Sequence, residues 1–231
     1  MEYRVENKYL VSDADLAVLA GRLKSIVSSD AHQTGDCYEI RSLYFDDYRD
    51  SCMEENESGI DQRKKFRIRT YGSDAAVIHL EIKEKVRGLT KKSACDLTRQ
   101  EYESILTGEL PLAFDPRKPL NQLQLQMRMT GMQPKAIIVY ERSAFVCPLG
   151  NVRITFDRNI MASKYRETLF EETVSGLVPV LPVGMHILEV KYDEFLPDYI
   201  SEVLELGNLR QTAFSKYYLG RLALQGDLLP E

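Results

Sequence analysis

The segments 63-RKKFRIRTY-71 and 77-VIHLEIKEK-85 contain the pattern that decides the fold. In both segments polar and apolar side chains alternate, and a β-strand places successive side chains on opposite faces of a sheet. The first segment therefore predicts a strand with one strongly basic face, which carries Lys65, Arg67 and Arg69. The second predicts a strand whose polar face carries His79, Glu81, Lys83 and Lys85.

The same alternation recurs along most of the chain. It predicts about eight strands: Tyr3 to Val11, Tyr38 to Phe45, Arg63 to Tyr71, Val77 to Lys85, Leu89 to Leu97, Lys135 to Phe145, Val152 to Asp157 and Ile187 to Tyr192. The pattern Glu-x-Lys lies on the polar faces of three of these strands, as Glu6-x-Lys8, Glu81-x-Lys83 and Glu189-x-Lys191.

Helical patterns lie between the predicted strands. They cover Asp13 to Val27, Arg99 to Leu106, Leu120 to Met132 and two segments near the end of the chain. A capping-box sequence, Thr98-x-x-Glu101, precedes the second of them. Because no long linker of low complexity separates these elements, we expect one domain over residues 1–231.

The overall charge limits the kinds of ligand that this protein can bind. The 231 residues include 30 basic and 35 acidic ones, which gives a formal net charge of −5. An acidic protein is not typical of nucleic-acid binding or of attachment to an anionic membrane surface. Any site for an anion must therefore be a local concentration of basic side chains.

The cysteines and the hydropathy pattern favour a reduced, cytoplasmic protein. Cys37, Cys52, Cys95 and Cys147 are scattered without a Cys-x-x-Cys pair, so neither a zinc site nor a disulfide framework is expected. The first residues lack the apolar segment of a signal peptide. No segment has the ~20 apolar residues that a membrane-spanning helix needs, so no direct membrane insertion is expected.

The charged strand faces admit two interpretations. A single polar face most often contacts solvent in an antiparallel sheet. Here, however, several polar faces are strongly basic in an acidic protein, and helices are available to cover the apolar faces. These features predict an α+β fold, a closed antiparallel β-barrel of about eight strands with helices on the outside and charged faces inside.

A lumen lined by many cations needs an anionic ligand, because like charges at close range repel each other. Phosphate oxygens suit this lining, since arginine offers paired donors and lysine a compact charge. The predicted ligand is therefore a triphosphate or polyphosphate. The few carboxylates on the same faces are expected to bind Mg²⁺ or Mn²⁺ together with the phosphates.

An ordered series of motifs covers nearly the whole chain: Tyr3-Arg-Val-Glu-Asn-Lys-Tyr-Leu10, Arg41-Ser-Leu-Tyr-Phe-Asp-Asp47, Lys65-Phe-Arg-Ile-Arg-Thr-Tyr-Gly72, His79-Leu-Glu-Ile-Lys83, Tyr140-Glu-Arg142, Val152-Arg-Ile-Thr-Phe-Asp157, Ile187-Leu-Glu-Val-Lys-Tyr192 and Phe214-Ser-Lys-Tyr217. With these motifs the chain resembles the VTC domain, the polyphosphate polymerase branch of the triphosphate tunnel metalloenzymes. Arg4 stands where CYTH hydrolases of that superfamily carry their first glutamate, which favours the polymerase branch.

The resemblance implies roles for individual residues. Four basic residues are expected at the reaction centre: Lys8, Arg67, Arg69 and Lys83. Contacts to the phosphate chain are expected from Tyr140, Arg142, Arg153, Ser215 and Lys216, and from Lys191, which shares the face of Glu189. The resemblance makes Glu189 a metal ligand, and the strand faces add Glu6 and Glu81 as residues that assist.

Two positions are less well defined by the resemblance. Lys91 and Lys92 are both candidates for one further basic residue, and the sequence does not decide between them. Ala213 stands where eukaryotic members of the family have a lysine, so one phosphate contact is expected to be missing.

The activity that the resemblance implies is metal-dependent transfer of the terminal phosphoryl group of ATP to a growing polyphosphate chain. Two alternatives remain open: hydrolysis of tripolyphosphate or a nucleoside triphosphate in the same site, and a non-catalytic polyphosphate sensor. No protein nucleophile is required, and a lone histidine such as His79 is more often a packing or hydrogen-bonding residue. A membrane-associated partner protein also remains open.

Overall fold

The computed structural model describes residues 4–30, 33, 35–60, 62–86, 89–109, 115–205 and 209–226. The strands are β1 (Val5–Ser12), β2 (Ser28–Ser29), β3 (Tyr38–Asp46), β4 (Arg63–Tyr71), β5 (Asp74–Val86), β6 (Leu89–Asp96), β7 (Gln133–Cys147), β8 (Val152–Ser163), β9 (Val178–Pro179), β10 (Met185–Tyr192) and β11 (Arg210–Gln211). The helices are α1 (Asp13–Lys24), α2 (Ser51–Glu57), α3 (Arg99–Thr107), α4 (Lys118–Thr130), α5 (Asp198–Val203) and α6 (Lys216–Gln225).

The eight predicted strands are confirmed, and β4 begins and ends at the predicted residues. The first of them is confirmed as β1 from Val5 onward, whereas Tyr3 lies outside the described residues. The predicted helices also form, and the capping box at Thr98 is present in both directions. The sequence analysis missed α2 and three strands of two residues each, β2, β9 and β11.

The strands form one sheet in the order β11-β1-β10-β8-β7-β3-β4-β5-β6, with β2 beside β7 and β9 beside β8. The pairings with a defined register are antiparallel. The prediction of a closed eight-stranded barrel is wrong, because the sheet has eleven strands and, among the described residues, no pairing joins β11 to β6. The alternation of side chains fixes the face that each residue occupies, but it does not determine whether the first and last strands pair.

The chain divides into two compact units, each with its own core. The first unit comprises residues 1–39, 140–160 and 181–214, and the second comprises residues 40–139, 161–180 and 215–231. The expectation of a single domain over residues 1–231 stays a prediction.

In the second unit, helices cover the apolar face of β3, β4 and β5. Phe66 and Ile68 of β4 are buried together with the inward residues of β5, Ile78, Leu80 and Ile82. The helices α3 and α4 contribute the buried side chains Tyr102, Ile105, Leu120 and Leu123 to the same cluster. Because this face is occupied by the core, the alternate residues of β4 and β5 must lie on the opposite face.

In the first unit, α1 and α5 cover the apolar face of β1, β8 and β10. The core contains Leu16, Leu19 and Leu23 of α1, which follow the helical period. Ser12 begins this helix with a capping box, since its hydroxyl accepts from the backbone N–H of Asp15 and the Asp15 carboxylate accepts from the N–H of Ser12. The polar alternate residues of β1 and β10 therefore lie on the opposite face.

None of the helices among the described residues is long and apolar enough to cross a membrane.

The packing of α6 gives a test of this fold. A Cβ added at Gly220 would overlap Cδ1 of the fully buried Ile138 and would lie 3.4 Å from Cβ of Ala162. Gly220→Ala should therefore lower the free energy of unfolding by about 1–3 kcal/mol in urea denaturation, because overpacking a core forces its neighbours to move. Adding Ile138→Val, which removes Cδ1, should restore part of the loss.

Gly21→Ala in α1 is the matched control. A Cβ at Gly21 meets no atom within 4 Å, so alanine should leave stability unchanged or raise it by up to ~1 kcal/mol. Equal stability of Gly220→Ala and the wild-type protein would contradict the described packing of α6.

Candidate functional site

On the polar face of the second unit, three cations surround one carboxylate. Glu81 on β5 lies opposite Arg67 on β4, and only 3% of Glu81 is exposed. Arg67 Nε and Nη2 lie 2.7 and 2.6 Å from Glu81 Oε2. Lys92 Nζ on β6 lies 2.5 Å from Oε1, and Arg69 Nη1 lies 3.7 Å from the same oxygen. We call Arg67, Arg69, Glu81 and Lys92 the arginine cluster.

The charges of this cluster control one another. Burial would raise the pKa of the Glu81 carboxyl, but Arg67, Arg69 and Lys92 outweigh it and hold that pKa well below its usual range. Burial lowers the pKa of Lys92, and the two arginines act in the same direction, against the opposing effect of Glu81. The cluster is therefore a local surplus of positive charge that converges on one anionic group.

The structure separates the two lysines that the sequence left undecided. Lys92 belongs to the arginine cluster, whereas Lys91 is paired in register with Glu84, beyond the cluster. Lys83 lies in register between Lys65 on β4 and Lys92 on β6. Arg67 and Arg69 thus both approach Glu81, and Lys83 occupies the next position along this face.

Two predicted phosphate-binding residues begin α6. Ser215 is the N-cap, and its hydroxyl accepts from the N–H of Tyr218 at 3.3 Å and from Lys65 Nζ at 2.8 Å. Lys216 follows and is only 9% exposed. Lys65 also donates to Asn56 Oδ1 at 2.8 Å, so its ammonium group is fixed beside the N-cap.

Tyr44 was not predicted as a site residue, although it contacts the arginine cluster. Arg67 Nη1 donates to the Tyr44 hydroxyl at 2.9 Å. The one signal in the sequence is that Tyr44 alternates with Leu43 and Phe45, both buried in the core, which places it on the polar face. His79, by contrast, contacts Asp96 at 2.6 Å and lies outside the cluster, as expected for a hydrogen-bonding residue.

On the polar face of the first unit, two glutamates and two lysines alternate. Glu6 lies opposite Lys191, and Lys8 lies opposite Glu189, on the paired strands β1 and β10. Lys8 Nζ is 3.0 Å from Glu6 and 3.7 Å from Glu189, and Lys191 Nζ is 2.6 Å from Glu189 and 3.7 Å from Glu6. We call these four residues the glutamate–lysine quartet. Its carboxylate Glu189 is only 4% exposed.

Arg142 and Tyr140 lie in the buried part of this unit. Arg142 donates from Nε and Nη2 to the two oxygens of Asp157, at 2.6 and 2.7 Å. Burial would lower the pKa of the Arg142 guanidinium, but Asp157 outweighs it and raises that pKa. The guanidinium also lies 5.3 Å from the ring centroid of the fully buried Tyr140. Asp157 thus fixes Arg142, a role that sequence reasoning did not assign to it.

Arg153 is the most exposed of the predicted phosphate-binding arginines. Its Nη2 lies 2.7 Å from Asp30 Oδ2, and its side chain is 38% exposed. On β8 it pairs in register with Lys191 of the quartet. Arg153 therefore extends the basic row of β10 by one strand.

A divalent metal ion fits the glutamate–lysine quartet better than it fits Glu81, the other predicted metal ligand. Mg²⁺ and Mn²⁺ bind through one or two carboxylates together with substrate phosphates, and Glu6 and Glu189 supply two carboxylates on neighbouring strands. Glu81 fits less well, since three cations already surround it. Within the described ranges, no group of three or more His, Cys, Asp or Glu residues is arranged to hold a metal ion.

A cleft of about 370 Å³ lies in the second unit. It is lined by residues at the C-terminal ends of α3 and α4, with Gln133, Pro134 and Arg166. It contains none of the residues predicted to bind phosphate or metal, so it does not contribute to the candidate site.

The comparisons with known proteins concern the family and the fold. The VTC domain model matches residues 3–225. A candidate adenylate cyclase from Bacillus halodurans has 16% identity and a TM-score of 0.55, covering 93% of this chain and 94% of that one. A candidate adenylyl cyclase from Hippeastrum, described as having a dominant triphosphatase activity, has 15% identity and a TM-score of 0.55, covering 100% and 98%. These two likenesses show a shared fold. No protein of curated function matches the sequence.

The arginine cluster predicts how stability depends on Glu81. Glu81→Gln should lower the free energy of unfolding by about 2 kcal/mol at pH 7, since it leaves the arginines without their buried counter-ion. The folded pKa of Glu81 lies below the ordinary value of ~4.3, so its contribution is present above that value and is lost as the pH falls through the folded pKa. The difference between the two proteins should therefore shrink below about pH 4.

Glu84→Gln is the matched control on the same strand. Glu84 pairs with Lys64 at 3.3 Å, and such partly exposed pairs contribute ~0–1 kcal/mol. Urea denaturation at several pH values measures both variants. A difference for Glu81→Gln that stays constant down to pH 2 would contradict the assigned charge of Glu81.

Proposed function

Because the chain belongs to the VTC domain family, we propose that it transfers the terminal phosphoryl group of ATP to the end of an inorganic polyphosphate chain. The proposed cofactor is Mg²⁺ or Mn²⁺, and the proposed ligands are ATP and polyphosphate. The motifs shared with the polyphosphate polymerase branch support this activity, as does the geometry of the two clusters.

One observation carries the proposal. Three cationic groups, those of Arg67, Arg69 and Lys92, converge on a single carboxylate of the polar face. A phosphoryl group presents the same kind of oxygens with more negative charge, and guanidinium groups bind such oxygens through paired donors. This face is therefore suited to a phosphate chain.

The residues of the arginine cluster would act by position and charge. Phosphoryl transfer proceeds with negative charge spread over the oxygens of the transferred group, and fixed cations stabilise that charge without moving. Arg67 and Arg69 are held by Glu81, so their donors are oriented before the ligand binds. No side chain has to act as a nucleophile.

In the first unit, Glu6 and Glu189 would hold the metal ion and Lys8 and Lys191 would contact phosphate oxygens. A bound metal ion neutralises phosphate charge and aligns the reacting groups. Lys8 is fixed by a hydrogen bond from Nζ to the carbonyl of Phe214 at 2.8 Å. Arg142 is oriented by its two hydrogen bonds to Asp157, from Nε and Nη2.

Hydrolysis of a triphosphate is the second candidate. It uses the same binding groups, with water in place of the phosphate acceptor. The observation that favours it is the fold shared with the Hippeastrum protein, for which a dominant triphosphatase activity is stated.

The direct test is to incubate the purified protein with ATP and either Mn²⁺ or Mg²⁺ and to separate the products. Synthesis should yield ADP and a ladder of polyphosphate on a gel, with little free orthophosphate. Orthophosphate without a ladder would instead establish the hydrolase. Absence of both products, with ATP, tripolyphosphate and a polyphosphate primer all supplied, would refute the proposed activity.

The proposed metal ligands give a second test. Glu189→Gln should retain the fold and lower turnover at least about a hundredfold, because the amide binds the metal ion poorly. Turnover is measured over a range of Mn²⁺ concentrations, with circular dichroism to check folding.

Glu194→Gln is the neighbouring control. Glu194 is exposed and lies two residues beyond the end of β10, so this change should leave turnover unchanged. Full activity of Glu189→Gln, or of the wild-type protein in chelator, would remove the metal ion from the mechanism.

A further inference from the structure

The hydroxyl of Tyr44, in the second unit, contacts the arginine cluster through Arg67. On β3 it is paired in register with Arg67 of β4, and Ser42 is paired with Arg69. Only 6% of Tyr44 is exposed. A buried phenol on a polar face needs hydrogen-bond partners, so the arrangement of its oxygen indicates its role.

The ring of Tyr44 is fixed from behind. It stacks on the ring of Tyr217, with centroids 5.3 Å apart and an interplanar angle of 27°. Tyr217 is fixed in turn, because its hydroxyl donates to Asp46 at 2.7 Å and accepts from Arg221 at 2.7 Å. The hydroxyl of Tyr44 is therefore held at a defined point beside Arg67.

The direction of the hydrogen bond leaves the proton of Tyr44 available. A guanidinium group only donates, so the Tyr44 oxygen accepts from Arg67 at 2.9 Å. Its own O–H can then donate to a further acceptor. Burial would raise the pKa of this phenol, but Arg67, Arg69 and Lys216 outweigh it and lower that pKa. The surrounding positive charge makes the phenol a stronger donor and favours an anionic acceptor.

We propose that Tyr44 is a phosphate-binding residue whose hydroxyl donates to an oxygen of the bound triphosphate while it accepts from Arg67. This inference rests on the proposed function and adds a neutral donor beside the cations of the arginine cluster. Arg67, Tyr44 and the phosphate oxygen then form a chain in which each hydrogen bond polarises the next.

The competing role is a purely positioning one, in which Tyr44 holds Arg67 and does not touch the ligand. The two roles differ in what happens when Arg67 is changed. A direct contact to phosphate persists when Arg67 is replaced, whereas an effect exerted through Arg67 disappears.

The test measures the binding of inorganic tripolyphosphate in the presence of chelator, so that no turnover occurs. Isothermal titration calorimetry gives the dissociation constants, and ³¹P NMR titration extends the range to weak binding. Tyr44→Phe keeps the ring and its stacking and should weaken binding about tenfold or more, as loss of a hydrogen bond to a charged group does. Tyr102→Phe, which removes another buried hydroxyl of the same unit, should leave the affinity unchanged.

The same comparison is then made in an Arg67→Lys background, which keeps one positive charge. A loss that persists there supports the direct contact, and a loss that vanishes overturns it in favour of the positioning role. Equal affinity of Tyr44→Phe and the wild-type protein also overturns it. Failure of the wild-type protein to bind tripolyphosphate would instead refute the proposed function, and it would be seen before any variant is compared.

Discussion

The structure depends on the neutralisation of positive charge on the polar faces of its strands. Basic side chains on neighbouring strands lie a few ångströms apart, and they repel each other unless an anionic group lies between them. In the second unit Glu81 supplies that group for Arg67 and Arg69. In the first unit Glu6 and Glu189 alternate with Lys8 and Lys191. The carboxylates thus hold the basic side chains of each cluster in defined positions.

This constraint explains how much of the fold the sequence could predict. The boundaries of β4 followed from strict alternation, because the core lies on one face and the cations on the other. The strands β2, β9 and β11 have two residues each, which is too short to show a period. The helix α2 has no apolar period either. Its first turn is stabilised by a residue outside the helix, because the Asp46 carboxylate accepts from the N–H groups of Cys52 and Met53.

The candidate site was predicted in part for a related reason. Alternation placed the basic residues on their faces, but the partner of each charge depends on the strand register, which the sequence alone does not define. Lys92 rather than Lys91 reaches Glu81 because of the pairing of β5 with β6. The same limit hid the contact of Tyr44 with Arg67, which requires β3 to lie beside β4. Closure of the sheet was predicted wrongly, since no local pattern encodes it.

The central claim is that the cations now neutralised by carboxylates are the ones that bind phosphate. An experimental structure with bound tripolyphosphate tests this most directly. The account predicts phosphate oxygens within about 3 Å of the Arg67 and Arg69 guanidinium groups, the usual distance of a charge-assisted hydrogen bond. Tripolyphosphate bound elsewhere, with both guanidinium groups still paired with Glu81 and no phosphate oxygen beside them, would contradict it.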